Sequence, residues 1–265
     1  MTFLDAIVLG LVQGLTEFIP VSSSGHLVIA SHLLGTPEAF TFDVLLNFGT
    51  LLALIIYFRK RLWSLISRAL SGKEWPLLAK LAAATIPAIC IGLVFGDQIK
   101  QLNEQLPVVI VMLIAIGVIM VKYGAARPDA SDEPLETSAT WKTALKIGAA
   151  QALALIPGTS RSGITILVGL QSKLSAAKAA EFSFLLAIPI ILGASLKVLV
   201  LDGGLEYVSQ NFALVLVGNI VSFGAGLLAV SFLIKLLGTS GLKWFGWYRI
   251  GLAGVLTVLL LTGVI

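Results

Sequence analysis

Apolar residues run through this chain in blocks, and polar residues gather between the blocks. Six blocks, at 41–58, 78–96, 107–123, 182–201, 212–236 and 246–265, approach the roughly 20 residues a helix needs to cross ~30 Å of hydrocarbon. Four shorter apolar pieces remain, at 2–19, 24–34, 141–156 and 162–172. Two of them, 24–34 and 162–172, are about ten residues long, too short to cross at 1.5 Å per residue. The short pieces come in pairs, each split by a Pro-Ser-Gly segment: PVSSSG at 20–25 and PGTSRSG at 157–163. Two short helices joined by a polar break predict a re-entrant hairpin.

The pattern then repeats. Residues 1–125 read as one broken pair followed by three spans, 126–140 as a cytoplasmic linker, and 141–265 as a second pair with three more spans. Gln13 precedes Pro20 by seven residues and Gln151 precedes Pro157 by six. A re-entrant pair returns to the side it entered from, and three spans then change sides. The second half must start on the opposite face. The expected fold is therefore an all-α polytopic membrane protein, one integral membrane domain with an inverted-topology repeat. It has six transmembrane helices plus two re-entrant pairs whose breaks meet near the midplane.

Composition agrees. The chain is 57% hydrophobic and 12% charged, against about 25% charged in soluble domains. A single cysteine, Cys90, excludes an internal disulfide framework and a CxxC metal site. The net charge of +4 does not argue for nucleic acid, because the basic residues lie in loops between apolar runs. The first 58 residues hold no Lys or Arg, so no basic leader of a cleavable signal peptide is expected. Threading six spans puts Arg59, Lys60, Arg61, Arg68, Lys73, Lys80, Lys122, Arg127, Lys142, Lys146, Lys173, Lys178, Lys235, Lys243 and Arg249 on one side. Of the 18 basic residues only Lys100, Arg161 and Lys197 fall elsewhere. The rich side is the cytoplasm by the positive-inside rule, so both termini and the first break face outward. The acidic stretch PDASDEPLE within 122–142 reads as a solvated linker. Small-residue spacings such as Gly218 to Gly226 could pack helices within one protomer or between two copies of a homodimer.

Two charges do not fit the loops. Glu17 and Arg161 sit beside the two breaks, where an ionised group costs roughly 2.5–3.5 kcal/mol on insertion scales. Stability alone is a poor reason to keep such a pair. Gln13 and Glu17 are i,i+4, on one face of the first short helix. Ser23 and His26 are i,i+3, and Ser22 and His26 are i,i+4, on one face of the next. Pro20 ends the first helix, and Ser22, Ser23 or Ser24 can cap the second, presenting backbone N–H groups to an anion. Ser160, Arg161 and Ser162 hold the matching position in the second half, with Thr165 four residues beyond Arg161. The planar arginine fork suits phosphate. A hydroxyl, an adjacent base, a cationic clamp and a carboxylate form a phosphoryl-transfer set on the outer side of a membrane. The same architecture serves a transporter or flippase that binds a lipid phosphate without chemistry, and a non-catalytic scaffold is a third class. A carrier needs no nucleophile and base, which favours chemistry. His32, Asp43, Asn47 and Glu181 are assigned no role.

The stretches QGLTEFIPVSSSGH at 13–26 and PGTSRSGIT at 157–165, with EFSFLLAIP at 181–189 and the late Tyr248-Arg249, closely resemble the undecaprenyl pyrophosphate phosphatases of the bacitracin-resistance type. The resemblance covers essentially the whole chain. It implies removal of the terminal phosphate from undecaprenyl diphosphate, at a site looking outward from the bacterial cytoplasmic (inner) membrane. The product, undecaprenyl phosphate, is the carrier reused in peptidoglycan synthesis. It implies a divalent cation, Mg2+ or Ca2+. By the same resemblance Ser23 is the nucleophile, and His26 activates it or shuttles its proton. Glu17 binds metal or positions His26. Arg161 holds the diphosphate, and Gln13, Ser22, Ser24, Ser160, Ser162 and Thr165 line the substrate. Many members carry a glutamate where this chain has Gln13. One anionic ligand is thereby lost, which points to a cation held by Glu17, substrate phosphates and water.

Overall fold

The computed structural model describes residues 1–36, 40–72, 75–103, 105–125, 130 and 133–263. Lys73, Arg127 and part of the acidic linker lie outside these. Helices α1 (Phe3–Phe18) and α2 (Ser23–Leu33) form the first broken pair. Thr2 and Asp5 start α1 with a reciprocal capping box, and Ile19 leaves the helix in extended conformation just before Pro20. The next elements are α3 (Phe40–Leu45), α4 (Asn47–Tyr57), α5 (Arg59–Leu70), α6 (Trp75–Val94), α7 (Gly96–Asn103), α8 (Leu106–Tyr123) and α9 (Leu135–Ser138). The second broken pair is α10 (Trp141–Leu153) and α11 (Arg161–Gln171), followed by α12 (Ala176–Leu201), α13 (Gly204–Ser240) and α14 (Lys243–Leu261). The described residues contain no strand, and six of their segments are long and apolar enough to cross a membrane. These are Phe40–Tyr57, α6, α8, α12, Gly204–Leu237 and α14.

The burial pattern is that of a chain solvated by lipid. Thr50, Ser162, Thr165, Ser183, Ser222 and Arg249 are wholly buried, while Leu93, Val94 and Leu228 are about 70% exposed. Polar groups turn inward because only other protein groups can satisfy them in hydrocarbon.

Three differences from the sequence expectation have physical causes. The span at 41–58 is split at Leu46. Asn219 and Ser222 of α13 take over backbone groups there: the Gly49 N–H donates to Asn219 Oδ1 at 2.7 Å, and the Ser222 hydroxyl donates to the Leu46 carbonyl at 3.1 Å. The basic stretch after Tyr57 forms a helix, α5, with Leu65 and Ala69 buried and Trp63 and Leu70 exposed. The described part of the linker is docked, not freely solvated. Leu135 and Ala139 are buried, Lys80 donates to the Glu136 carbonyl at 3.0 Å, and Arg61 bridges Glu136 (2.6 Å) and Glu181 (2.7 Å).

Close helix packing relies on small residues. A Cβ on Gly10 would lie 2.6 Å from the Gly218 carbonyl, and one on Gly14 would lie 2.5 Å from that of Ser222. Gly226 abuts Ala53 and Phe18, and Gly218 abuts Phe42 and Leu46. The spacing from Gly218 to Gly226 is therefore used within the protomer. Along α13, rising residue numbers meet rising numbers on both α1 and α4, so both run parallel to it. The chain must consequently double back between Phe18 and Asn47, through α2. The halves also pack reciprocally: α1 lies along α13, the second long helix of the other half, and α10 lies along α6, where Gly148 meets Ala84. The third spans, α8 and α14, pair antiparallel through Gly117 and Gly246.

Gly14→Leu should lower the thermal unfolding midpoint in detergent by the equivalent of about 1–3 kcal/mol, the penalty of an overpacked contact. Gly92→Ala, with nothing within 4 Å of the added carbon, should not. Equal midpoints would mean that α1 is not held this closely. The docked linker adds a pH dependence. Burial opposes ionisation of Glu136, but its own backbone N–H and Arg61 more than offset that and hold its carboxyl below the usual 4.5. Its folded pKa is depressed, so the stability it contributes is present above pH 4.5 and lost as pH falls through the lower folded value. Arg61→Gln should flatten this acid limb in melting curves taken against pH. An unchanged limb would refute the ion-pair account of linker docking.

Candidate functional site

The two breaks are built alike. Ser22 and Ser160 cap α2 and α11, at φ 76° and 68°, a backbone region L-residues rarely occupy. Each accepts, on its side-chain oxygen, the N–H three residues on, from Gly25 at 3.4 Å and Gly163 at 3.2 Å. Such conformations cost on the order of 1–3 kcal/mol and persist only where the surroundings enforce them. Ser23 and Arg161 then occupy the same position, the first residue of the second helix in each pair. Ser24 and Ser162 follow as a matched pair, and both cross-link the breaks. The Gly158 N–H donates to Ser24 Oγ at 3.4 Å, and the Ser162 hydroxyl points at the Ile19 carbonyl at 3.5 Å.

Glu17 is the centre of the cluster. Its Oε1 accepts from Arg161 Nη2 at 2.7 Å. Its Oε2 accepts from the Ser23 hydroxyl at 2.8 Å and from Gln13 Nε2 at 3.1 Å. Gln13 also donates to Asn47 Oδ1 at 2.6 Å. The ion pair is 11% and 13% exposed on its arginine and glutamate side chains, so it is shielded but reachable. Ser23 and Arg161 each open a helix, whose first backbone amides have no partner within it. The cluster thus holds a hydroxyl bonded to a carboxylate, a guanidinium and two helix starts.

His26 is turned from this centre. Its Nδ1 lies 2.8 Å from the Ser22 carbonyl, which can only accept, so Nδ1 carries a hydrogen. In the neutral ring Nε2 then accepts from the Tyr248 hydroxyl at 2.7 Å, the two rings lying parallel 5.7 Å apart. The hydrogen-bond partner of Ser23 is thus Glu17. Thr165 and Ser162 are wholly buried. Thr165 donates to the Arg161 carbonyl at 2.7 Å and lies 2.6 Å from the Ser183 hydroxyl, so it braces the helix behind Arg161. Ser22 and Ser24 bond to each other at 3.1 Å and shape the first turn. Ser160 stands 3.3 Å from Ser162 and does the same in the second. Gln13 is buried in the network with Glu17.

Four participants are absent from the motif-based assignment: Asn47, Ser183, Tyr248 and Arg249. The signal for Asn47 was an amide inside an apolar run, four residues after Asp43 and beside Gly49. Arg249, counted from the sequence among the cations of the cytoplasmic side, is instead wholly buried, and its place within the apolar run 246–265 was the signal for that. Glu181, by contrast, is engaged by Arg61 away from the cluster.

The oxygens of this network that could serve a cation are hard ones, the Glu17 carboxylate and Asn47 Oδ1, both bonded to Gln13 Nε2. Such a set fits magnesium or calcium. Among the described residues no three His, Cys, Asp or Glu side chains converge. The remaining ligands of such an ion would have to come from phosphate and water.

An all-helical integral membrane protein, with paired helix breaks clasping a Ser–Glu–Arg cluster, is the class that this fold and site define. The model of the family described as bacitracin resistance protein BacA matches residues 6–255, and the chain belongs to that family. It is 42% identical to an undecaprenyl-diphosphatase of Porphyromonas gingivalis, over 100% of this chain and 99% of the relative. It is 38% identical to one from Flavobacterium psychrophilum, over 98% and 96%, and 38% identical to one from Bdellovibrio bacteriovorus, over 99% and 98%.

Proposed function

We infer that this protein is an undecaprenyl-diphosphatase, a membrane hydrolase that converts undecaprenyl diphosphate into undecaprenyl phosphate and inorganic phosphate. It recycles the lipid carrier of peptidoglycan synthesis in the bacterial inner membrane. The observation that carries the mechanism is the bond from Ser23 to Glu17, with the other oxygen of Glu17 held by Arg161.

The diphosphate enters between the two helix N-termini, its isoprenoid tail remaining in hydrocarbon. Arg161 and the first amides of α2 and α11 bind its equatorial oxygens and neutralise the charge that grows on them. Ser23 attacks the terminal phosphorus in line. Glu17 takes the hydroxyl proton, a Ser23–phosphorus bond forms and the anhydride bond breaks, and Glu17 passes that proton to the departing undecaprenyl phosphate, which leaves the carboxylate free again. Water then attacks the phosphoserine with Glu17 as base, releasing phosphate and restoring the hydroxyl. Tyr248 and His26 form a hydrogen-bonded pair at the edge of the site, from which a proton can be returned to solvent. Glu17, with the amide oxygen of Asn47, would hold a divalent cation, which when bound lowers the negative charge of the diphosphate.

Charge and packing together support an outward-facing site. The basic residues mark the cytoplasmic side, and α1 running parallel to α4 and α13 starts on the opposite side. Both termini and the mouth of the first break then face outward, and the two hairpins are re-entrant from opposite faces.

Phosphate release from undecaprenyl diphosphate by the purified protein in detergent tests the reading directly. Ser23→Ala should abolish release, and rapid acid quench of wild type should trap phosphate on Ser23. Absence of that adduct in an active enzyme would replace the covalent route with direct attack by water. Arg161→Ala should lower the rate about 10²–10³-fold, the scale of a lost charge clamp. Near-normal hydrolysis in that variant would remove Arg161 from transition-state binding.

A further inference from the structure

α14 places two consecutive side chains on the two breaks. Tyr248 bonds to His26 of the first. Arg249 reaches the second: its Nη2 donates to the Gly158 carbonyl at 2.5 Å and lies 3.3 Å from the Met112 carbonyl of α8. Arg249 is wholly buried, the largest side chain among the described residues to be so, and its Nε and Nη1 have no partner among them. A buried arginine without a carboxylate is expensive, and packing does not require it, since Gly117 and Gly246 already bring α8 and α14 together. Its one close bond goes to the turn that precedes Arg161. Gly158 sits there at φ 86°, and any Cβ would strike the Val109 carbonyl at 2.6 Å. The turn is thus pressed against α8 from one side and held through its carbonyl from the other.

We propose that Arg249 is a positioning residue for the hydrolysis: by holding the Gly158 carbonyl it fixes the height at which Arg161 and the first amides of α11 meet the diphosphate. It touches no substrate atom, because its nitrogens are enclosed. Its effect passes through Arg161. The proposal rests on the diphosphatase reading.

The test is a double-mutant cycle on kcat with undecaprenyl diphosphate, using the purified full chain in detergent. Arg249→Lys keeps the charge but loses the fork that spans the Gly158 and Met112 carbonyls. It should lower kcat at least about tenfold, the scale of one lost charged hydrogen bond, with KM changed less than about twofold and an unaltered melting midpoint. In the Arg161→Ala background the same change should cost less than about twofold, since the residue it positions is gone. Additive losses would overturn the proposal, as would a Lys variant with wild-type kcat. If Arg249→Lys does not fold, Arg249→Gln, which retains an N–H donor, carries the same cycle and the same criteria. No phosphate release by folded wild type would instead sink the diphosphatase reading, so the two failures are distinguishable.

Discussion

The ion pair between Glu17 and Arg161 can form only when two helix breaks, far apart in sequence, are pressed tip to tip. In a low-dielectric interior either charge alone would be several kilocalories per mole worse off than in water. The pair is therefore a demanding joint: it ties the first broken pair to the second and leaves neither free to slide. The weaker contacts between the breaks, from Gly158 to Ser24 and from Ser162 to Ile19, depend on that alignment.

Each break uses the same device for a different end. A serine at positive φ, capping its own helix, delivers the following residue to the junction. In the first half that residue is Ser23 and in the second Arg161. One scaffold thus delivers a hydroxyl from one side and a guanidinium from the other, and the helix N-termini add the same partial positive charge from both. The reciprocal packing of α1 on α13 and α10 on α6 explains why neither half could hold its break in place alone: each broken pair is supported mainly by a span belonging to the other half.

Much of this was legible in the sequence, and the illegible part has a common cause. Spans, broken pairs and the roles of Pro20 and the capping serines follow from local pattern, because helix length in a membrane and backbone satisfaction are local constraints. Glu17 and Arg161 were conspicuous as charges outside the loops. What spacing could not give was the partner of each side chain. Asn47 is a lone amide until the split at Leu46 turns it toward Gln13, and that split is imposed by Asn219 and Ser222 from the other half. The linker looked solvated because its composition is acidic, yet Arg61 and Lys80 hold its end across helices. Long-range polar contacts of this kind leave no periodicity behind.

The role of His26 shows where spacing and geometry part. Three residues from Ser23 on a helix, a histidine is a reasonable base on pattern alone. A base needs a free lone pair aimed at the proton it takes. With Nδ1–H committed to the Ser22 carbonyl and Nε2 receiving Tyr248, the ring has no lone pair left for Ser23. Glu17 Oε2 is already bonded to that hydroxyl. The two groups therefore bond to different partners: the carboxylate to the Ser23 hydroxyl, and the imidazole to the Ser22 carbonyl and Tyr248. A histidine three residues from Ser23 in sequence is thus engaged elsewhere in space.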